Sequence, residues 1–150
     1  MYDVPDLPAD VFIQLFNRST GQTWRIAADG RYFVTEPSGS ETQRMPESRA
    51  MSGHPLVVEA ERIKVIQALD ACDFFALPPR IEGTLPETPP RLFAGMGSFS
   101  PQVWAFSARQ GERVAVVEVS SDPRVPSTLG PLAPLYKALD QVALGGWRRR

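Results

Sequence analysis

The sequence has one cysteine and one histidine among its 150 residues, and this scarcity argues against several kinds of chemistry. A single cysteine forms no internal disulfide, and one Cys with one His does not build the usual zinc site. A Ser-His-Asp site would have to use His54, and no Gly-x-Ser-x-Gly turn accompanies that histidine. We therefore predict a protein that is not an enzyme, with no catalytic residue, no metal and no cofactor.

Long apolar runs and a dominant charge are also missing. No stretch approaches the roughly 18 consecutive apolar residues that a membrane-spanning helix needs. The formal net charge of −1 gives no electrostatic footprint for nucleic acid. The N-terminal residues "MYDVPDLPAD" lack the basic and apolar regions of a signal peptide. We expect a cytoplasmic, soluble protein with no membrane insertion and no specific nucleic-acid partner.

What is present is the composition of a folded domain, with 43% hydrophobic and 22% charged residues. A chain of this length falls within the usual range of a single domain. We predict one domain with a folded core, two terminal tails and two long loops; the domain spans 1–150, the core 11–144, the tails 1–10 and 145–150, and the loops 37–57 and 76–101.

Two segments are typical of β-hairpins. The stretch "QTWRIAADGRYFVTE" has two alternating runs around Asp29-Gly30, a pair that favours a type I′ turn because both turn positions need a positive φ. A two-residue loop there sets Ile26 opposite Phe33. A further β-rich run, "VFIQLFN", precedes this hairpin.

The second hairpin is predicted in "QVWAFSARQGERVAVVEV", with its turn at Gln110-Gly111. This register places Trp104 opposite Val117, so that the large residues share one face of the sheet.

Helical spacing follows the first hairpin and recurs near the C-terminus. In "VVEAERIKVIQALDACDFFAL" the residues Val58, Val65, Leu69 and Cys72 lie on one apolar stripe, with Ile66 beside them. Cys72 has no neighbouring histidine or second cysteine, so we interpret it as a core residue and not as a nucleophile. A last helix is predicted from about Pro131 to Leu144.

The elements follow the order ββ(β)–α–ββ–α, which predicts an α+β fold. We expect an antiparallel sheet of four to five strands, built from two hairpins, with two helices packed on one face.

The chain resembles a family of small bacterial α+β domains of unknown function. The segments that carry the resemblance are "WRIAADGRYFV", the helix that runs into "DFFAL", "VWAFSARQGERVAVVEV" and "LYKALDQV". Members often have cysteines in the first hairpin, where this chain reads "NRSTGQTW", and the proline-rich insertion after "FFAL" is longer than usual. The resemblance implies the fold and a bacterial origin, and it implies no activity.

Apolar residues in loops favour a partner protein. Phe93, Met96 and Phe99 lie in a Gly/Pro-rich segment, and Trp147 lies beyond the last helix. Aromatic residues and methionine are enriched at protein interfaces. We predict a non-catalytic protein-interaction domain, such as an accessory subunit or an immunity or inhibitor-type protein, which binds another protein through these residues and its proline-rich loops.

An alternative is a small-ligand-binding or hydrolytic domain with a pocket on the open face of the sheet. Its residues would be Trp24, Arg25, His54 and Trp104. The sequence does not predict an oligomeric state or a role for the terminal Arg148–Arg150.

Overall fold

An α+β architecture is seen in the computed structural model, which describes residues 1–46, 56–82, 102–121 and 126–144. The strands are β1 (Val11–Asn17), β2 (Thr23–Ala27), β3 (Tyr32–Thr35), β4 (Glu41–Arg44), β5 (Arg80–Glu82), β6 (Gln102–Gln110) and β7 (Arg113–Ser121). The helices are α1 (Glu59–Ala71) and α2 (Ala133–Leu139). A 3₁₀ turn follows α1 at Phe74–Ala76, and a 3₁₀ segment and a π turn flank α2 at Pro126–Leu132 and Asp140–Leu144.

The seven strands form one sheet in the order β4-β3-β2-β1-β6-β7-β5. Every neighbouring pair is antiparallel except β5 and β7, which run parallel. The predicted α+β class is confirmed. The prediction of four to five strands, all antiparallel, and the predicted order were wrong, because two edge strands were missed.

The two missed strands, β4 and β5, lie inside the segments predicted as long loops, 37–57 and 76–101. All four residues of β4, Glu-Thr-Gln-Arg, are exposed, so the strand shows no apolar alternation. It is held by backbone pairing with β3, and β5 by pairing with Glu118–Ser120 of β7. Edge strands commonly carry polar and charged residues, which hides them from a search for hydrophobic periodicity.

The first hairpin turns near Asp29-Gly30 as predicted, but its register differs by one residue. Ile26 pairs with Tyr32 rather than Phe33. The amide of Gly30 donates to the carbonyl of Ala27 at 2.9 Å, and Gly30 alone in this loop has a positive φ, of 97°. These features describe a three-residue loop with a type I turn and a bulged glycine, instead of the two-residue type I′ turn.

The second hairpin differs from its predicted register by two residues, which preserves the faces. Trp104 pairs with Val119, and Gln110 pairs with Arg113. Gly111, with a φ of 64°, occupies the first central position of the two-residue turn, as a type II′ turn requires.

One face of the sheet forms the hydrophobic core with the two helices. Buried side chains of the sheet, such as Trp24 and Phe106, meet Val65 and Leu69 of α1 and Leu135 of α2. Val65, Leu69 and Cys72 of the predicted stripe are buried, whereas Val58 is half-buried at the N-cap of α1. The last helix is present, but its α-helical part covers only Ala133–Leu139 of the predicted 131–144. Helix α1 ends where Asp73 adopts a left-handed φ of 51°, and Pro78 follows.

The opposite face is covered in part by the first ten residues, which were predicted as a tail. Gln14 of β1 donates through Nε2 to the carbonyl of Pro5 at 3.0 Å, and Arg109 donates to the carbonyl of Leu7 at 3.2 Å. Near the other end of this N-terminal segment, Tyr2 and Arg18 exchange two hydrogen bonds. The segment buries Gln14 completely.

Candidate functional site

The residues predicted to bind a partner, Phe93, Met96, Phe99 and Trp147, lie outside the described residues, and so does His54. Their role stays a prediction. The candidate site must therefore be sought among the four described ranges.

The remaining residues of the alternative pocket are not brought together. Trp24 and Trp104 stack in the core, with ring centroids 5.9 Å apart and ring planes at 29°. Arg25 points to the opposite face, where its Nε donates to Oε1 of Gln14 at 2.7 Å. The two tryptophans are buried in the core beneath the helices, whereas Arg25 lies on the opposite face of the sheet. These three side chains therefore do not line one pocket. Since His54 lies outside the described residues, the predicted pocket as a whole stays a prediction.

Cys72 is confirmed as a core residue. It follows the last turn of α1, is 8% exposed, and its Sγ lies 3.5 Å from the carbonyl oxygen of Leu69. Burial raises the pKa of the thiol, and the nearby Asp73 and Asp70 act in the same direction. A raised pKa and a buried position are the opposite of what a cysteine nucleophile needs.

A groove of about 350 Å³ lies between α1 and the ends of the strands, and we name it the α1 groove. Helix α1 reaches from the β2–β3 hairpin, where Arg62 donates to the carbonyl of Ala28, to the β6–β7 hairpin, where Gln110 lies 3.5 Å from Asp70. The groove is lined by Phe12, Ala28, Glu59, Arg62, Ile63, Ile66, Leu69, Arg109, Gln110 and Gly111.

The walls of the α1 groove are largely apolar. Ile63 and Ile66 are 44% and 37% exposed, although isoleucine is among the residues most often buried. Phe12 is half-buried, and the buried Leu69 forms part of the lining. Together they present aliphatic and aromatic surface on two sides of one concavity.

Arg62 and Arg109 both line the α1 groove, but the guanidinium of Arg109 reaches the carbonyl of Leu7 on the opposite face of the sheet. Within the described ranges, neither Arg62 nor Arg109 forms an ion pair, although both donate to backbone carbonyls. In the same part of the chain, the Nε atoms of both are buried without a hydrogen-bond partner. Glu59 is the one carboxylate among the described residues of the lining. The groove therefore combines apolar walls with one positive and one negative side chain, Arg62 and Glu59.

A second cavity, of about 390 Å³, lies at the β5–β7 edge and includes Arg80 and Glu118. Glu118 and Arg80 are already paired here: Oε1 of Glu118 lies 2.8 Å from Arg18, and Oε2 lies 3.3 Å from Arg80. We take the α1 groove as the candidate site because it exposes two large aliphatic side chains, Ile63 and Ile66.

The α1 groove was not predicted from the sequence because its residues come from four separate segments of the chain. The helical spacing placed Ile66 beside the core stripe. The structure instead turns Ile63 and Ile66 outward from the stripe of Val65 and Leu69. The one signal available from sequence was that α1 carries more aliphatic residues than a single core stripe can bury.

No protein-family model, curated protein or solved structure matches this chain. Across 1–46, 56–82, 102–121 and 126–144, no group of three or more metal-ligating side chains is found. In these same ranges no helix is long and apolar enough to cross a membrane.

Proposed function

We propose that this protein is a non-catalytic protein-interaction domain that binds an apolar segment of a partner protein in the α1 groove. The observation that carries the proposal is the exposure of Ile63 and Ile66 beside a concavity of about 350 Å³. Binding sites are concave and mostly apolar, with few polar groups that fix orientation, and this description fits the α1 groove.

The energetic reason is the apolar surface that α1 leaves in water. Complete burial of an isoleucine contributes about 1.5–3 kcal/mol, and roughly two fifths of each side chain is still exposed. A partner that covers both isoleucines would therefore gain on the order of 1 kcal/mol from each. Aliphatic side chains of a partner segment are the natural complement to such walls.

Roles of this type include an accessory subunit of a larger complex and an immunity or inhibitor-type protein in the cytoplasm. In each of them a small domain presents a preformed surface to one partner. The α1 groove supports this use because a packed helix and the strand ends hold its walls in place, which reduces the entropy lost on binding.

The test is a selection of peptides from a random displayed library, followed by affinity measurements on the selected peptides. We expect aliphatic-rich peptides that bind the native chain and lose about tenfold or more in affinity to the variant Ile63→Asn/Ile66→Asn. Both positions are exposed, so the variant should keep its fold, which circular dichroism checks.

The matched control is Val116→Asn, because Val116 is 40% exposed on β7 and pairs with Ser107, which does not line the α1 groove. It should leave the affinities unchanged. Peptides that bind the isoleucine variant as tightly as the native chain would contradict the proposal, as would a selection that yields no binder.

A further inference from the structure

We propose that the sheet face opposite the helices binds an extended Pro-x-x-Pro segment of a partner protein, and that residues 1–10 occupy this face as an internal ligand. A partner segment of the same chemistry displaces them. This surface lies on the other side of the sheet from α1, so the inference goes beyond the proposed function.

The N-terminal segment has the composition of a polyproline-type ligand. The run from Pro5 to Pro8, "PDLP", is a Pro-x-x-Pro sequence. Proline fixes its own φ at about −65° and keeps the preceding residue out of the helical region. Residues 1–8 accordingly form neither helix nor strand. A segment that is preset in an extended form loses little entropy when it binds a surface.

The sheet binds this segment through the carbonyl groups of its backbone. Three side chains, Gln14, Arg18 and Arg109, each donate one hydrogen bond to it, at 3.0, 3.0 and 3.2 Å. The acceptors are the main-chain oxygens of positions 5, 2 and 7, respectively. Because every peptide carries such oxygens, the face can bind an extended chain of different sequence in the same way.

The internal ligand leaves two polar groups of this face without a partner. Ser107 pairs with Gln14 across β1 and β6 and is completely buried. Among the described residues, neither Oγ of Ser107 nor Nε of Arg109 has a hydrogen-bond partner. Buried polar groups without a partner are rare and destabilise a folded protein. A partner segment that bonds to both groups would therefore bind this face better than residues 1–10 do.

The charges of the segment and of the face have opposite signs. The segment contains Asp3 and Asp6. On the face, Arg18 and Arg25 are paired with glutamates, whereas Arg109 forms no ion pair within the described ranges. Arg109 thus supplies an unmatched positive charge next to the segment. We expect a partner segment that has an acidic residue beside its prolines.

The experiment titrates the isotope-labelled chain with acetyl-YDVPDLPA-amide and with acetyl-YDVGDLGA-amide, in which glycine replaces both prolines. The native chain is compared with Pro5→Gly/Pro8→Gly, whose internal ligand is no longer preset. Because a bound internal ligand lowers the apparent affinity for a competitor, the proline peptide should bind this variant about tenfold more tightly than the native chain. The glycine peptide should bind the variant about tenfold less tightly than the proline peptide.

NMR signals distinguish displacement of the segment from binding elsewhere. When the peptide replaces the segment, the main-chain amide signals of Asp3, Val4 and Leu7 should become sharp and move to random-coil positions. The side-chain N–H signals of Gln14 and Arg109 should move much less, because a carbonyl of the peptide takes the place of the segment's own.

Two further measurements assign the effect. Arg109→Gln should weaken binding of the proline peptide, whereas Arg44→Gln, an exposed change on β4, should not. In the native chain, the side-chain amide of Gln14 should exchange with solvent at least about tenfold faster than the slowest amides of β1, after correction for intrinsic rates, because the segment opens without unfolding of the sheet. This last measurement needs no variant.

The outcomes separate this inference from the proposed function. Equal affinities of the two peptides for the variant would overturn the recognition of a Pro-x-x-Pro segment. Shifts confined to α1 amides, or no displacement of the segment at millimolar peptide in either chain, would overturn the surface itself. Each of these results leaves the α1 groove proposal in place. A dimer of the variant in sedimentation would assign the face to the N-terminal segment of a second copy and overturn the partner protein as its occupant.

Discussion

The backbone N–H of Val57 donates to the carbonyl oxygen of Gly30 at 2.8 Å and joins the start of α1 to the β2–β3 hairpin. The approach is so close that a Cβ atom on Gly30 would collide with the carbonyl oxygen of Val57. Since Ala28 of this hairpin lines the α1 groove, the same contact sets the position of one groove wall.

Gly30→Ala should therefore destabilise the fold by about 2–5 kcal/mol, from the left-handed conformation and from the collision together. Gly39→Ala is the matched control, because Gly39 has a similar φ of 90° and nothing within 4 Å of the added carbon. Gly39→Ala should lower the free energy of unfolding by about 1–2 kcal/mol, because only the cost of the left-handed conformation applies there. Urea denaturation measures both, and equal losses would show that the contact with Val57 has no energetic role.

Gln14 connects the central strand β1 to Arg25 of β2 and to Pro5 of the N-terminal segment. It has no exposed surface, accepts from Nε of Arg25 at 2.7 Å and donates to the carbonyl of Pro5 at 3.0 Å. Gln14→Ala should lower the free energy of unfolding by about 2 kcal/mol, because two partners lose a hydrogen bond. Gln67→Ala, on the exposed side of α1, should change it by no more than about 0.5 kcal/mol. Similar values for the two variants would contradict this account.

Glu118 pairs with two arginines of very different exposure, 19% for the side chain of Arg18 and 75% for that of Arg80. Arg18→Met should destabilise by about 1–2 kcal/mol, because Arg18 also donates to the carbonyl of Tyr2. Arg80→Met should lose roughly 0–0.5 kcal/mol, as expected for an exposed ion pair. Thermal unfolding at low and high salt distinguishes the two variants. A larger loss of stability for Arg80→Met than for Arg18→Met would contradict the view that Arg18 is the more important partner of Glu118.

The raised pKa of the Cys72 thiol makes stability depend on alkaline pH. Burial keeps the thiol protonated in the folded chain, whereas the unfolded chain releases the proton near its ordinary pKa of about 8.5. The contribution is therefore complete below that pH and is lost as pH rises through the folded pKa. The melting temperature of the native chain should fall more steeply than that of Cys72→Ala between about pH 8 and 10. Parallel curves would mean that the thiol titrates alike in both states.

The elements that hydrophobic periodicity can reveal were predicted from the sequence. The stripe of Val65, Leu69 and Cys72 is buried, and both hairpins turn near their glycines. The register of the first hairpin was wrong because Asp-Gly is compatible with two loop lengths. The choice between them depends on Gly30 meeting Val57, a contact that short-range sequence patterns do not contain.

The features that were missed depend on backbone pairing or on distant segments. Strand β5 is parallel to β7 and has three residues, and β4 is entirely exposed, so neither has a periodic signal. The acidic N-terminal segment was predicted as a tail because its attachment to Gln14 and Arg109 is made through its own carbonyl groups. The α1 groove combines residues of β1, the β2–β3 hairpin, α1 and the β6–β7 hairpin, which only the folded chain brings together.

The place of β1 at the centre of the sheet has a consequence during synthesis on the ribosome. One neighbour, β2, follows at once, but the other, β6, is added only when Gln102–Gln110 has left the exit tunnel. Until then the apolar run "VFIQLFN" has one unpaired edge, and such edges promote aggregation of incomplete chains. The time spent translating the segments between these two strands is thus the interval in which a nascent chain of this protein most needs a chaperone.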